Sequence, residues 1–480
     1  MALEKIKGDR REKLERLKAA GLNPYPEKTA RSRQLAAAAL EKFDDLAKSE
    51  EEIILAGRLR LLRSHGGSTF ANLEDVSGQV QVYFKKDVLG ERDYDLLAGN
   101  LDIGDFIEAA GSFFLTQKGE KTLLVKKLRI LAKALNQLPD KWHGLNDVEE
   151  RFRRRYLDLL MNKDVKKRFQ QRSEIIKNLR VFLENRGFSE VETPILQSLP
   201  GGALAEPFET HLNALSLDLY LRVSPELYLK RLLVGGLEKI YELGRCFRNE
   251  GMDKSHNPDF TMLEFYWAYA DCHQLMELTE ELFEFLIPEQ EIEYQGAKID
   301  FSPPFKRIAL PDLILENYLV DVRKANAGEL ADILKKNGVK TEKGAPHYKL
   351  VDELFKLTRP KIIQPTFVTG QLAEASPLAK KSETEKGTAE MFQLVVGGLE
   401  LVKAYSELND SQEQAARMKE QENNRSDRER QRFDQDYIDA LEYGMPPAAG
   451  WGLGVDRLVM LLTGAPSLRE VILFPAMREK

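Results

Sequence analysis

Across 480 residues the chain carries only two cysteines, Cys246 and Cys272. Two thiols so far from any metal-ligand spacing give neither a disulfide framework nor a zinc ribbon, and they suit a reducing cytosol. Six histidines are scattered and no HExxH occurs, which argues against a zinc hydrolase. Nowhere is there an apolar run of about 18 residues or a basic-then-apolar leader, so neither membrane insertion nor export is expected. A GxxxxGK[ST] loop is missing too. Gly450, Gly452 and Gly454 come close to a dinucleotide fingerprint, but Val455 stands where its last glycine would be. Any nucleotide must therefore be held by another architecture. The net charge of −6 excludes a globally basic protein, so nucleic-acid binding would need a local positive surface.

What is present is ordinary for a soluble enzyme of two or more domains: 42% hydrophobic and 31% charged residues. Residues 1–22 read as an amphipathic helix with Leu14, Leu17 and Leu22, either a solvated arm or an RNA contact, and Asn23-Pro24-Tyr25-Pro26 ends it. A second, alanine-rich helix is expected over 35–46. From 53 to 131 the pattern changes to five short strands, 53–62, 68–76, 79–84, 105–117 and 122–131, with a helical piece over 87–100 between the third and fourth. That outline is an OB barrel, a fold that stacks single-stranded bases on exposed aromatics.

The chemistry concentrates in RCFRNEGMDKSHNPDFTMLEFYWAYAD, residues 245–271. It reads as two β segments joined by a polar loop, the first ending in Arg248 and Glu250. In the second, period two places Phe260, Met262, Glu264, Tyr266 and Ala268 on one face. A solvated amphipathic hairpin would show a plainly polar face. This one mixes an aromatic ring, a carboxylate and a phenol beside a guanidinium, the parts needed to stack a base and fork onto a phosphate. Downstream, alternation in 392–410 puts Glu400, Val402, Ala404 and Ser406 on one side, and Leu401, Lys403, Tyr405 and Glu407 on the other. Gly450, Gly452 and Gly454 then leave a strand face bare beside a helix starting near Arg457. Residues 412–432 read as a solvated helix without special chemistry.

FRNEG followed by SHNPDFTMLEFYWAYAD closely resembles motif 2 of the class II aminoacyl-tRNA synthetases, in the bacterial lysyl form of subclass IIb. GWGLGVDRLVMLLTG (450–464) with VILFPAMR (471–478) is similar to motif 3 and its tail, and RGFSEVETP (186–194) to motif 1. The resemblance runs nearly end to end. It implies an α+β chain: a helical arm (1–50), an OB-fold anticodon-binding barrel (51–135), a hinge (136–163) and a catalytic domain (164–480). That domain would be an antiparallel sheet flanked by helices, with an insertion at 302–380. The long helix 164–187 and the stretch 190–196 would form a homodimer interface. For the arginines at 151, 153, 154 and 155 it leaves two readings, a solvated face or a tRNA contact.

The implied reaction activates lysine with ATP and transfers lysyl to the 3′ end of tRNA(Lys) in the cytoplasm. Arg248 would bridge the substrate carboxylate and the α-phosphate, and Arg457 would hold the γ-phosphate, aided by His256. Phe260 would stack adenine, helped by Glu250 and Asn257, with Gly454 beneath. Gly202 and Glu226 would take the α-amino group. Glu264 would share the pocket, and Glu407 with Tyr266 would meet the lysine ammonium, since a buried cation needs a paired carboxylate. Phe70, Gln81 and Glu120 match positions that read the anticodon. Glu400 would be a ligand of Mg2+. Two positions depart from the pattern: Gln393 stands where the family usually has glutamate, a metal position, and Lys403 where it usually has asparagine. Both put the number of magnesium ions in question. An aspartyl- or asparaginyl-type synthetase, or a catalytically impaired RNA-binding paralogue, would share much of this framework, but the Glu407–Tyr266 pair and intact Arg248, Glu250 and Arg457 weigh against each.

Overall fold

A computed structural model describes residues 2–139, 147–203, 205–423 and 433–479. The chain divides into two compact units, Met1–Leu145 and Asn146–Lys480. No helix among the described residues is long and apolar enough to cross a membrane.

The first unit is a closed five-stranded barrel in the order Ile53–His65, Ser68–Glu74, Gln79–Lys85, Lys121–Ala132, Phe106–Leu115. All five expected strands are present to within a few residues. The 87–100 piece is two short helices and a 3-10 turn. Strict alternation sends Thr69, Ala71, Leu73, Val80, Val82 and Phe84 inward, and Phe70, Asn72, Gln81 and Tyr83 outward. The arm is no loose appendage. Leu17, Ala36, Phe43 and Leu46 join the barrel core, and Arg10 donates to the carbonyls of Ala134 and Asn136.

The second unit is built on an eight-stranded sheet, Lys306–Ala309, Thr366–Thr369, Met391–Val396, Leu399–Ser406, Ala448–Gly454, Asp259–Ala268, Lys239–Phe247, Ser189–Glu190. Its six inner strands are antiparallel, as expected, while each outermost pair is parallel, which makes the whole mixed. Leu263, Phe265, Trp451, Leu453 and Val402 point to one side and form the core with the helices Cys272–Leu286 and Val455–Leu462. Helix Lys163–Glu184 is followed by Gly187 at φ +80, a left-handed conformation that glycine adopts without penalty.

The expected hinge needs correcting where it is described. Residues 147–163 hold two short helices, Val148–Arg153 and Arg155–Met161, packed within the second unit. Residues 140–146 lie outside the described part. Of the arginines there, Arg155 is fully buried: it pairs with Asp158 at 2.5 Å and donates to the carbonyls of Arg469, Ile472 and Leu473. Arg151 pairs with Asp158 and Glu470. Both are clamps on the tail of the domain, because a buried guanidinium has donors enough to satisfy several carbonyls at once.

Candidate active site

A cleft of about 380 Å3 opens on the sheet face opposite the core. Its floor is the glycine strand. Register places Gly450 between Tyr266 and Tyr405, Gly452 between Glu264 and Lys403, and Gly454 beside Met262. Residues directly opposite on antiparallel strands share a face, so three side-chain-free positions lie between two rows of functional groups. A Cβ on Gly450 would stand 2.1 Å from Glu407 Oε1 and 2.5 Å from Tyr266, and one on Gly452 would press on Met262 at 3.1 Å. Gly202, at φ +86, closes the rim; a Cβ there would meet Glu226 and Ser224 at 2.9 Å.

Gly202, Glu226, Arg248, Glu250, His256, Asn257, Phe260, Glu264, Tyr266, Glu400, Gly454 and Arg457 all line this one cleft. Arg248 and Glu250 lie just past the end of their strand, which stops at Phe247. Leaving the ladder frees them: the Arg248 N–H still bonds Pro258 at 2.8 Å, while its side chain lies over the Phe260 ring at 5.0 Å with a buried Nε that has no partner. An unpaired buried guanidinium N–H beside a half-buried ring is a ready anion and aromatic site. His256 accepts from Arg457 Nη2 at 3.2 Å through Nε2, and its Nδ1 bonds Asp253 at 2.9 Å, an arrangement assigned from the partners. Asn257 is spent on its own turn, donating to Asp259.

At the other end, Ser224 and Tyr266 donate to the two oxygens of Glu264, at 2.7 and 3.2 Å. Burial, then the charge of Glu226, pushes the Glu264 carboxyl up to about 8. Tyr405 donates to Glu226 at 2.5 Å. Helix Glu226–Val234 begins beside Ser224, whose hydroxyl accepts the Glu226 N–H. One turn on, fully buried Lys230 bridges Glu226 at 2.6 Å and Glu407 at 2.5 Å. Burial alone would lower the Lys230 pKa, but these two carboxylates outweigh it and hold the ammonium charged. Glu407 itself does not line the cleft. Its buried Oε1 lies against Gly450 on the side to which a side chain there would point and accepts no hydrogen bond, while Oε2 is ion-paired to Lys230.

The strand Leu399–Ser406 corrects the expected faces. A bulge at Leu401 breaks the register, so that Val395 opposes Glu400 and Leu394 opposes Val402. The extra residue brings Glu400 into the cleft with Lys403 and Tyr405, while Val402 and Ala404 are core. Glu400 Oε2 pairs with Arg359, and Arg457 donates to the Glu400 carbonyl at 3.0 Å. Burial disfavours the Glu400 carboxylate, yet Arg359, Arg457 and Lys403 outweigh it and hold the carboxyl below its ordinary range. Gln393 hydrogen-bonds Glu400 and accepts from Gln371. One carboxylate already neutralised by a guanidinium, next to an amide and an ammonium, does not fit a protein-held magnesium centre, which needs free carboxylates.

Sequence reasoning missed Lys230, Tyr405, Arg359 and Gln421. Lys230 follows Glu226 by four residues, a legible helix ion pair. Residues 412–432, expected to be solvated, include helix Ser411–Asn423, whose Gln414, Met418 and Gln421 are buried, and Gln421 reaches the cleft; residues 424–432 lie outside the described part. Away from the cleft, Cys272, His273 and Glu390 bring potential metal ligands within 4.8 Å of one another. The Cys272 thiol, pushed up to about 12 by burial and by Glu390, donates to that carboxylate at 3.6 Å, which accounts for the contact.

In the barrel unit, Phe70 stacks on Tyr83 with ring centroids 4.3 Å apart, and Phe114 lies 6.1 Å from Tyr83. Phe70 is outward-facing and half-buried rather than core. Gln81 accepts from Thr122 at 2.7 Å on the same face, and Glu120 is exposed at the turn before that strand.

Residues 147–478 match the family described as tRNA synthetases class II (D, K and N), and residues 53–131 match the OB-fold nucleic acid binding domain. The chain belongs to the class II (D, K and N) tRNA synthetases. Similar full-length proteins include the lysine–tRNA ligase of Syntrophomonas wolfei, 46% identical over all of this chain and 98% of that one. That of Moorella thermoacetica is 46% identical over 98% of this chain and 97% of its own. The Roseiflexus castenholzii ligase is 44% identical with each chain fully covered. In this synthetase the cleft therefore occupies the catalytic part, and the aromatic face belongs to the OB-fold part.

Proposed function

We propose that this synthetase is a lysine–tRNA ligase that forms lysyl-adenylate from lysine and ATP and passes lysyl to the 3′ end of tRNA(Lys). The observation that carries the choice of amino acid is the acidic end of the cleft, where Glu226, Glu264 and the orphaned Oε1 of Glu407 converge around Gly450. A buried acceptor without a partner is costly until a donor arrives, and an ammonium supplies one. Lys230 takes the other oxygen of Glu407 and so limits the negative charge to what a cationic side chain can satisfy. An aspartate side chain would meet carboxylates whose neighbouring hydroxyls and Lys230 ammonium are already engaged with them. The three ligases reported above favour the same reading.

Chemically, a lysine carboxylate oxygen attacks the α-phosphorus in line as the bond to the bridging oxygen of pyrophosphate breaks. The terminal ribose hydroxyl of the tRNA then attacks the lysyl carbonyl, and AMP leaves. Positioning and charge stabilisation carry such a step. Arg248 spans the reacting carboxylate and the α-phosphate, Arg457 with His256 holds the far phosphates, and Phe260 covers the adenine with Glu250 and Asn257 at its edge. Gly454 leaves room for the nucleotide. Gly202 and Glu226 hold the α-amino group, and Tyr266 with Glu407 the side-chain ammonium. ATP brings magnesium as its counter-ion, which lowers the charge on the phosphates when bound. Phe70, Tyr83, Gln81 and Glu120 form the anticodon face. A homodimer through helix Lys163–Glu184 and the segment after it is supported by exposed Ile195 and Leu196 there. We place the protein in the cytosol.

Pyrophosphate exchange measured across the standard amino acids tests the reading. Lysine should support it far above all others, and exchange driven by aspartate or asparagine would overturn it.

A further inference from the structure

Cations crowd the phosphate end of the cleft. Lys403 lines it and is exposed, Arg457 lines it and is bonded to the Glu400 carbonyl, and Arg248 holds an unpaired buried Nε. The carboxylate on the same strand as Lys403, Glu400, is already in an ion pair with Arg359. Its neighbour Gln393, directly opposite Lys403 in the sheet, is neutral and spends its amide on Glu400 and Gln371. A divalent ion held by protein needs one or two free carboxylates, and the Glu400–Gln393 pair beside Lys403 offers none. A triphosphate needs positive charge, which a fixed ammonium supplies without an ion.

Resting on the ligase reading above, we infer that Lys403 is a built-in counter-ion for the nucleotide's phosphates and stands in for a protein-held magnesium ion, while Arg359 occupies the carboxylate of Glu400 on the same strand. The bulge at Leu401 is what permits this, since it sets Glu400 and Lys403 on one face, and Gln393 avoids a second negative charge beside Glu400.

Binding of α,β-methylene-ATP, with no amino acid or tRNA present, separates this from alternatives. In EDTA the wild-type protein should bind the analogue within about threefold of its affinity in magnesium. Lys403→Asn should lose about tenfold or more in EDTA, recover much of it in magnesium, and be rescued by Lys403→Arg at the same position, as expected for one fixed charge near phosphate. Nucleotide-free wild-type protein should bind no stoichiometric manganese by electron paramagnetic resonance, whereas Lys403→Asn with Gln393→Glu should bind it. Lys403 is exposed, so its replacement leaves folding intact, to be checked by circular dichroism. Equal losses in EDTA for wild type and Lys403→Asn overturn the inference, as does manganese on the wild-type protein or none on the double variant. A wrong amino-acid assignment would appear in the exchange assay and leave this comparison unchanged.

Discussion

Lys230 Nζ lies 2.5 Å from Glu407 Oε2, and neither side chain reaches solvent. The ammonium also bonds Glu226 at 2.6 Å, so one buried cation ties two carboxylates from different elements. A lysine of the protein's own thereby builds the pocket proposed to receive a lysine.

Lys230→Met should destabilise the catalytic unit by about 3–5 kcal/mol, because it strands two buried carboxylates. Adding Glu407→Gln should recover part of that loss. Urea unfolding of the single and double variants measures the coupling, and additive losses would show that the pair does not act as a unit.

Glu407→Gln tests the cation end directly. It keeps the shape and removes the counter-charge for the substrate ammonium. The kcat/KM for lysine should fall by roughly a hundredfold or more, with nucleotide affinity little changed. Wild-type activation of lysine by this variant would remove Glu407 from the recognition set.

Lysine uptake should release a proton near pH 7. In the empty cleft Glu264 sits at about 8, raised from 4.5 by burial and Glu226, so it is protonated at neutrality; Ser224 and Tyr266 face it, with Arg248 nearby. An arriving ammonium favours the ionised form. Lysine affinity should therefore rise from pH 6 toward about 8. Without ligand the sign reverses for stability: between 4.5 and 8 the folded state keeps a proton that the unfolded chain has lost, so this group's contribution declines as pH rises. Titration calorimetry in buffers of differing ionisation enthalpy measures the proton count, and buffer-independent heats would contradict it.

Phe70→Ala and Tyr83→Ala should each weaken tRNA recognition by about 1–3 kcal/mol and spare tRNA-independent exchange. The two rings stack on one another, so their effects should be less than additive. A parallel drop in exchange would instead mark them as structural.

The glycine strand, the Asp259–Ala268 face and the five barrel strands were legible because period-two patterns and bare positions are local properties. The face of Glu400 was not. Parity along a strand predicts faces only while the ladder is regular, and the bulge at Leu401 depends on how the neighbouring strand pairs. Arg155 looked like part of a surface charge run because, Asp158 apart, its partners are carbonyls over 300 residues away, and carbonyls leave no mark in a sequence. Helix Ser411–Asn423 was misjudged for a related reason: the residues it buries include glutamines, and Gln414 finds its partner in the Pro377 carbonyl.

The Arg155 clamp also orders events in time. Its guanidinium donates to the Leu473 carbonyl across 318 residues of chain, the far end of the domain that its own helix begins. A growing chain cannot close that contact until the tail has been synthesised. Until then Arg155 and Asp158 have no final burial place, and the first helices of the catalytic unit must wait, exposed, for its last segment.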